Sequence, residues 1–186
     1  MLHFDISWSE INNIVGELGA TEKQVQFALG RALRRTEATL RKMSTKGLTR
    51  VLQLRTMASL RKRLKSIKLR KTGGLGADNG VGLWYGLNDI PVSSFKGRTE
   101  QAHKGAWKRD FYFEGAFVGK SKVKGRQTIF KRSTARTLPI EEQNITIEDE
   151  AIVYIEDVIF DQVEGIFWGH FKRDLQSRVK YKIGAY

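Results

Sequence analysis

The hydrophobic positions at the start of the chain follow first a strand period and then a helical period. From Leu2 to Trp8, apolar residues alternate with His, Asp and Ser, which predicts a short strand over residues 2–8. Between Ile11 and Leu18 the apolar residues are spaced three and four apart, which predicts a brief helix. Gly19 is expected to end this helix because glycine readily adopts the left-handed conformation of a helix C-terminus.

A longer helical pattern follows and is predicted to cover about residues 22–46, with an extension toward residue 52 left open. Thr21 and Gln24 have the spacing of a capping box, in which each side chain accepts a backbone N–H at the helix start. Gly47 is the expected point of a break, because glycine is a poor helix former. A second, shorter helix is predicted around residues 57–64. The apolar positions that support these helices are Val25, Leu29, Ala32, Leu33, Leu40, Met43, Leu48, Val51, Met57, Leu60 and Leu64.

The pattern changes to a strand period at Ser66, where apolar and basic residues begin to alternate. The glycine-rich run over residues 72–80 then predicts the tip of an extended β-hairpin, with Val81–Leu87 as the return strand. Further strands are predicted near residues 99–106, 110–118 and 127–132. Because the connections are too short for parallel crossovers, the sheet is expected to be mainly antiparallel.

The C-terminal part shows a broad apolar stripe at helical spacing, and we expect this helix to pack against the sheet. The predicted fold class is therefore α+β: a long N-terminal helix and a C-terminal helix packed on a central, mainly antiparallel sheet with an extended hairpin. Residues 1–186 are expected to form a single domain, with a basic helical segment at about residues 22–71. The stripe consists of Ile152, Ile155, Ile159, Val163, Phe167, Phe171 and Leu175.

Charge is concentrated in one stretch. Between Arg31 and Lys71 there are fifteen Lys and Arg residues and one acid, Glu37, a net charge of +14, whereas the whole chain carries +13. A solvated helix face is one interpretation, but such faces usually pair Glu with Lys four residues apart, and this stretch does not. We therefore expect the partner to be a polyanion or an acidic surface. If it is DNA, the contacts are to phosphate and do not read the bases. The residues expected to face DNA are Arg31, Arg34, Arg35, Arg41, Lys42, Arg61, Lys62, Arg63 and Lys65.

An acidic stretch follows near the C-terminus, where nine Asp and Glu lie between Glu141 and Glu164 with no Lys or Arg among them. The helix dipole alone would explain acids in a first helical turn. The alternative is self-association, because a chain basic at one end and acidic at the other suits head-to-tail contacts that can close into a ring. The residues expected to make subunit contacts are Glu148, Asp149, Glu150, Asp157, Asp161 and Glu164.

Catalytic motifs are weak, and we expect neither enzyme activity nor a cofactor or metal. The chain has no cysteine, so disulfides and thiolate metal sites are excluded. The stretch Gly115–Ser121 has three residues between its glycines where a phosphate-binding loop needs four, so it is interpreted as a hairpin turn. His3, His103 and His170 are isolated. No signal peptide or apolar run long enough to span a membrane is found, so a soluble, cytosolic site of synthesis is expected.

The aromatic residues are interpreted as core. Trp84 is expected to lie inside at the end of a strand, and Trp107, Phe117 and the aromatic run Phe111–Phe113 are expected to fill the inner face of the sheet. Stacking on single-stranded bases is the alternative, although no spacing of the kind used by RNA-recognition motifs supports it.

The stretch Trp84-Tyr-Gly-Leu-Asn-Asp-Ile-Pro91 resembles the signature segment of the phage minor tail protein Z family, the tail-completion proteins of long-tailed phages. The order of other segments is also similar over about residues 22–145. These segments are Ala28-Leu-Gly-Arg-Ala-Leu-Arg-Arg35, Leu60-Arg-Lys-Arg-Leu64, Gly115-Ala-Phe-Val118, Ile129-Phe-Lys-Arg132 and Leu138-Pro-Ile-Glu141.

The resemblance implies a non-enzymatic virion component at the neck, where the finished tail meets the head, made in the host cytoplasm during assembly. It implies other neck and tail proteins as partners, a homo-oligomer that in related connectors is commonly a sixfold ring, DNA in the lumen, and no membrane. It carries over no active site. A free-standing, sequence-neutral DNA-binding protein is the alternative function, and an enzyme acting on phosphodiesters is a third.

Overall fold

The computed structural model describes residues 8–70, 79–121, 125–134 and 138–185, and the chain forms two compact units. The first, called here the helical unit, comprises Met1–Ser44, Leu64–Trp84 and Ile155–Tyr186; the second, the sheet unit, comprises Thr45–Arg63 and Tyr85–Tyr154. The predicted α+β class, with a long N-terminal helix, a C-terminal helix and antiparallel strands, is confirmed.

The helices begin and end largely where the sequence places them. Gly19, with a φ of +61°, follows the first helix, and the predicted capping box is formed. The backbone N–H of Gln24 donates to Thr21 Oγ1 at 3.3 Å, and that of Thr21 donates to Gln24 Oε1 at 3.1 Å. The helices are α1 Trp8–Leu18, α2 Glu22–Val51, α3 Ala58–Arg61, α4 Glu148–Tyr154, a π-helical segment Ile155–Phe160, and α5 Val163–Lys180.

The described strands form four small sheets. Within each sheet, the strand pairs whose register is defined are antiparallel. Their orders are β1–β2, β3–β10, β4–β5–β6 and β7–β8–β9. The strands are β1 Leu64–Arg70, β2 Asn79–Tyr85, β3 Ile90–Pro91, β4 Thr99–Ala102, β5 Gly105–Lys108, β6 Phe111–Glu114, β7 Ala116–Lys120, β8 Gln127–Arg132, β9 Ile140–Glu142 and β10 Asn144–Ile145.

Two predicted strands each contain a turn. The segment predicted at 99–106 is the β4–β5 hairpin, and the segment at 110–118 is divided between β6 and β7, which belong to different sheets. Gly115 makes the second division: its φ is +68°, and its N–H donates to Lys104 O at 2.8 Å. The prediction near 127–132 matches β8. Of the strand predicted over residues 2–8, only Trp8 is described, and it opens α1. Of the hairpin tip predicted at 72–80, residues 72–78 lie outside the described residues, and Asn79 and Gly80 belong to β2.

The core of the helical unit is built by α1, α2 and α5. Phe167, Trp168 and Phe171 of α5 are buried and contact one another, with ring centroids 5.1–6.0 Å apart. They pack with Ile11 of α1 and Ala28 of α2. We expected this face to lie against the sheet; within the helical unit it lies against helices, because the small side chains on α2 leave room for the aromatic rings.

Gly47 does not break α2, which continues to Val51. A Cβ added at this position would overlap the phenol oxygen and Cζ of Tyr154, which belongs to the same unit. The glycine is therefore explained by the close approach of a side chain from α4. The sequence prediction of a break at Gly47 was wrong, and the extension toward residue 52 was right.

Candidate nucleic-acid interface

The basic residues of α2 in the helical unit form one face, called here the α2 cationic face: Arg31, Arg34, Arg35, Arg41 and Lys42. All are exposed except Arg41, which is half-buried. The opposite side of the helix is a buried row spaced four residues apart, and a continuous row at this spacing divides a helix into a core face and a solvent face. That row consists of Ala28, Ala32, Thr36, Leu40 and Ser44.

Ion pairing is uneven along the α2 cationic face. Arg31 Nε lies 3.4 Å from the buried carboxylate of Asp174, which also accepts a 2.7 Å hydrogen bond from Arg178 Nε. Arg31 therefore has a structural partner. In the described part of the chain, no carboxylate lies within 4 Å of Arg34, Arg35 or Lys42, so these three exposed charges have no counterion among the described residues.

Helix α5 adds positive charge that the sequence reasoning missed. Thr39 Oγ1 lies 3.3 Å from His170 Nε2, which brings α2 and α5 together at this point. Burial lowers the pKa of His170 below its ordinary 6.5, and the charges of Arg35 and then Arg173 lower it further. The signal was present in the sequence, since residues 172–182 contain five Lys and Arg against one acid. The charge pattern considered in the sequence covered only the acids up to Glu164 and not these basic residues.

The remaining DNA-facing candidates have different roles. Arg61 and Lys62, in the sheet unit, are exposed. Arg63 donates from its guanidinium to the main-chain carbonyls of Asn88 and Asp89, with the second bond at 3.0 Å, and so holds the turn before β3. Lys65, in the helical unit, is exposed, and its ammonium lies 5.6 Å from the ring centre of Trp84. Arg63 therefore also supports the fold of the sheet unit, and its contact with DNA stays a prediction.

The six acids predicted to make subunit contacts are all exposed but belong to different units. Glu148, Asp149 and Glu150 form the first turn of α4 in the sheet unit, where the helix dipole favours acids. Asp157, Asp161 and Glu164 lie in the helical unit. Glu164 is partly engaged, because its Oε1 accepts a 3.4 Å hydrogen bond from the Trp168 indole.

Several aromatic residues expected in the core are exposed. Trp84 retains 45% of its accessible surface, and Trp107, Phe111 and Tyr112 retain 41–42%. Trp107 and Tyr112 are cross-strand partners whose rings lie 4.8 Å apart on one face of the β4–β5–β6 sheet. The neighbours of Trp107 along β5, on the opposite face, are fully buried. The expectation that Trp84, Trp107, Phe111 and Tyr112 lie in the core was therefore wrong.

Within the described ranges no group of three or more His, Asp or Glu could hold a metal ion. Most of Gly115–Ser121 is strand β7, paired with β8, and only Gly115 is a turn. No helix in the described part of the chain is both long and apolar enough to cross a membrane.

Comparison of the chain with protein-family models, with curated proteins and with solved structures finds no match in any of the three.

Proposed function

We propose that this chain is a non-enzymatic structural protein of a phage virion that completes the tail at the head–tail junction. It would act there as a ring whose α2 cationic face lies toward DNA. The observation that carries the proposal is that face. Arg34, Arg35 and Lys42 are exposed on α2, and no carboxylate of the described residues lies within 4 Å of them. Arg173 of α5 adds positive charge near Arg35, since both residues lower the pKa of His170.

The geometry suits phosphate contacts that do not depend on base sequence. Arg31 and Lys42 are eleven positions apart, so the face extends about 17 Å along the helix axis. Phosphates on one DNA strand repeat every ~3.4 Å along the duplex axis, so several fall within that length. A lining that guides passing DNA should bind it weakly, and a few unpaired charges would provide such contacts.

The exposed acids of each unit would provide contacts for a neighbouring subunit. Glu148, Asp149 and Glu150 on α4 of the sheet unit would meet exposed Lys and Arg of the next copy in a head-to-tail arrangement. Asp157 and Asp161 of the helical unit would make contacts of the same kind. Such pairs are weak individually and screened by salt, so ring formation should be sensitive to ionic strength.

The alternative is a free-standing, sequence-neutral DNA-binding protein that uses the same face. A ring-forming virion part should oligomerise or bind a neck partner and bind free DNA only weakly. A free-standing DNA-binding protein should bind duplex DNA tightly as a monomer or dimer, with a log K versus log salt slope of several units.

The experiment is complementation of phage assembly. Particles assembled from a genome that lacks this coding sequence should accumulate DNA-filled heads and unjoined tails, and added purified protein should restore joining. The variant R34Q/R35Q/K42Q should fold normally but give particles that retain or eject DNA poorly. The variant K104Q/K120Q/K131Q, with the same loss of three exposed charges, is the control. Normal particles without the protein would refute the tail role, and normal infectivity with R34Q/R35Q/K42Q would refute the assignment of this face to DNA.

A further inference from the structure

A second group of cations surrounds the segment Ser94–Arg98 in the sheet unit. The backbone N–H of Arg55 donates to Ser94 O at 2.8 Å, and its Nε donates to Phe95 O, also at 2.8 Å. The N–H of Lys96 donates to Gln53 O at 2.9 Å, so the two segments run side by side around the Leu54–Phe95 bridge. The side chains of Arg55 and Lys96 are both exposed beside this bridge.

Strand β5 brings two more cations to the same segment. Lys108 is fully buried, and its ammonium donates to Gly97 O at 2.7 Å. Arg109 lies against Gly97: a Cβ placed on this glycine would stand 3.3 Å from Arg109 Cγ. Gly97 has a φ of +90°, which other residues rarely adopt, so the segment can pass this close to the arginine only with glycine at this position.

These cations have little neutralising charge. Among the described residues, only the carboxylate of Glu100 lies within 4 Å of one of these cations, at 3.9 Å from Arg98 Nε. Both side chains are largely exposed, and exposed ion pairs contribute little to stability. Burial, and after it the charges of Arg55 and Arg109, together lower the pKa of Lys108 from 10.5 to about 8. The fold therefore holds like charges together against their repulsion.

A purely structural role explains only part of the group. Lys108 and the Nε of Arg55 satisfy main-chain carbonyls and thereby fix the segment. Lys96 and Arg98 are exposed and do not serve that purpose through their side chains. The sheet unit as a whole contains eighteen Lys and Arg and nine Asp and Glu, so its long-range field attracts anions.

We propose that the cations around Ser94–Arg98 form a second phosphate-contact surface, which binds the backbone of duplex DNA. The contacting groups are the exposed Arg55, Lys96 and Arg98 and the half-buried Arg109, and the buried Lys108 supports the segment. Three of the four are arginines, whose planar guanidinium donates two parallel hydrogen bonds to a phosphate. This surface uses none of the residues of the α2 cationic face and does not depend on the role in tail completion.

Binding at this surface should also be coupled to proton uptake. A bound phosphate adds negative charge near Lys108 and raises its pKa. At pH 8 about half of the Lys108 side chains are protonated, so binding should take up as much as about 0.5 proton per chain. Calorimetric titrations of the whole protein with a 20-base-pair duplex, in buffers of different ionisation enthalpy, measure this uptake. The variant K108M should abolish it.

The direct test is fluorescence-anisotropy titration of the same duplex at several salt concentrations. The variant K96Q/R98Q should reduce the slope of log K against log salt by about 2, since each lost phosphate contact removes ~0.9. The control is K131Q/R132Q, which removes the same residue types from exposed positions on β8 of the same unit and should change the slope less. Equal slopes for the two variants would overturn the proposal.

Two further experiments distinguish this surface from the α2 cationic face and DNA from an acidic protein as its partner. The variant R34Q/R35Q/K42Q should keep part of its affinity for duplex DNA, and combining it with K96Q/R98Q should remove that remainder. If the combined variant binds the duplex as well as R34Q/R35Q/K42Q does, this surface is refuted and the proposal for the α2 cationic face is unaffected. If poly-glutamate binds at Lys96 and Arg98 but duplex DNA does not, the surface recognises an acidic protein and the DNA assignment is overturned.

Discussion

Replacing Gly47 by alanine should destabilise the protein, although the same change in most helix interiors is stabilising. In an exposed helix interior, alanine is favoured over glycine by about 1 kcal/mol. At Gly47 the new methyl group would overlap the phenol oxygen and Cζ of Tyr154 and stand 2.7 Å from Cε1. The ring, which is half-buried, must move away and lose its packing on α2. Overpacking of this kind costs about 1–3 kcal/mol. We therefore expect a net loss of about 1 kcal/mol.

Urea unfolding followed by circular dichroism measures the effect, and the helix provides its own control. Gly30 also lies inside α2, but a Cβ there would meet nothing within 4 Å, so G30A should stabilise by up to about 1 kcal/mol. With Tyr154 changed to alanine the clash is removed, and G47A should become stabilising in that background. If G47A stabilises the otherwise unchanged protein as much as G30A does, the packing explanation of Gly47 is wrong.

Three other predictions concern stability. Folding lowers the pKa of Lys108 from 10.5 to about 8, so between these pH values the unfolded state binds more protons than the folded state. The free energy of unfolding relative to K108M should therefore rise from pH 8 to pH 10.5, by as much as about 3 kcal/mol. Urea titrations at each pH measure this rise. D174N, which weakens the bonds that the buried Asp174 accepts from Arg178 and Arg31, should cost about 3 kcal/mol in thermal unfolding. R31Q, which removes the half-exposed partner, should cost less than ~1 kcal/mol, and equal costs would contradict the geometry. T21A should cost about 1 kcal/mol through loss of the cap on α2, and an unchanged melting temperature would show that the capping box contributes nothing.

Secondary-structure elements whose ends depend on residues close in the sequence could be predicted from the sequence. The end of α1 at Gly19 and the start of α2 at Thr21 depend on residues within one helical turn, and both were found where the pattern placed them. Strand β8 is likewise a short alternating run bounded by turns. The continuation of α2 through Gly47 could not be predicted, because it depends on Tyr154, which is distant in the sequence.

The candidate interface was only partly accessible to sequence reasoning. A run of Lys and Arg reveals charge but not partners, so the engagement of Arg31 by Asp174 and of Arg63 by main-chain carbonyls became visible only in three dimensions. The opposite limitation applies to the segment Ser94–Arg98. Its cations come from three separate stretches of the sequence, and the fold brings them together. Only Arg55 belongs to the basic stretch between Arg31 and Lys71.

The central claim is most directly tested by electron cryomicroscopy of the head–tail junction in particles assembled with this protein. The proposal predicts a closed ring of this chain at the junction, with the α2 cationic face, including Arg34 and Arg35, lining the channel around the DNA. A junction without this chain, or a ring with that face turned away from the channel, would contradict the proposal.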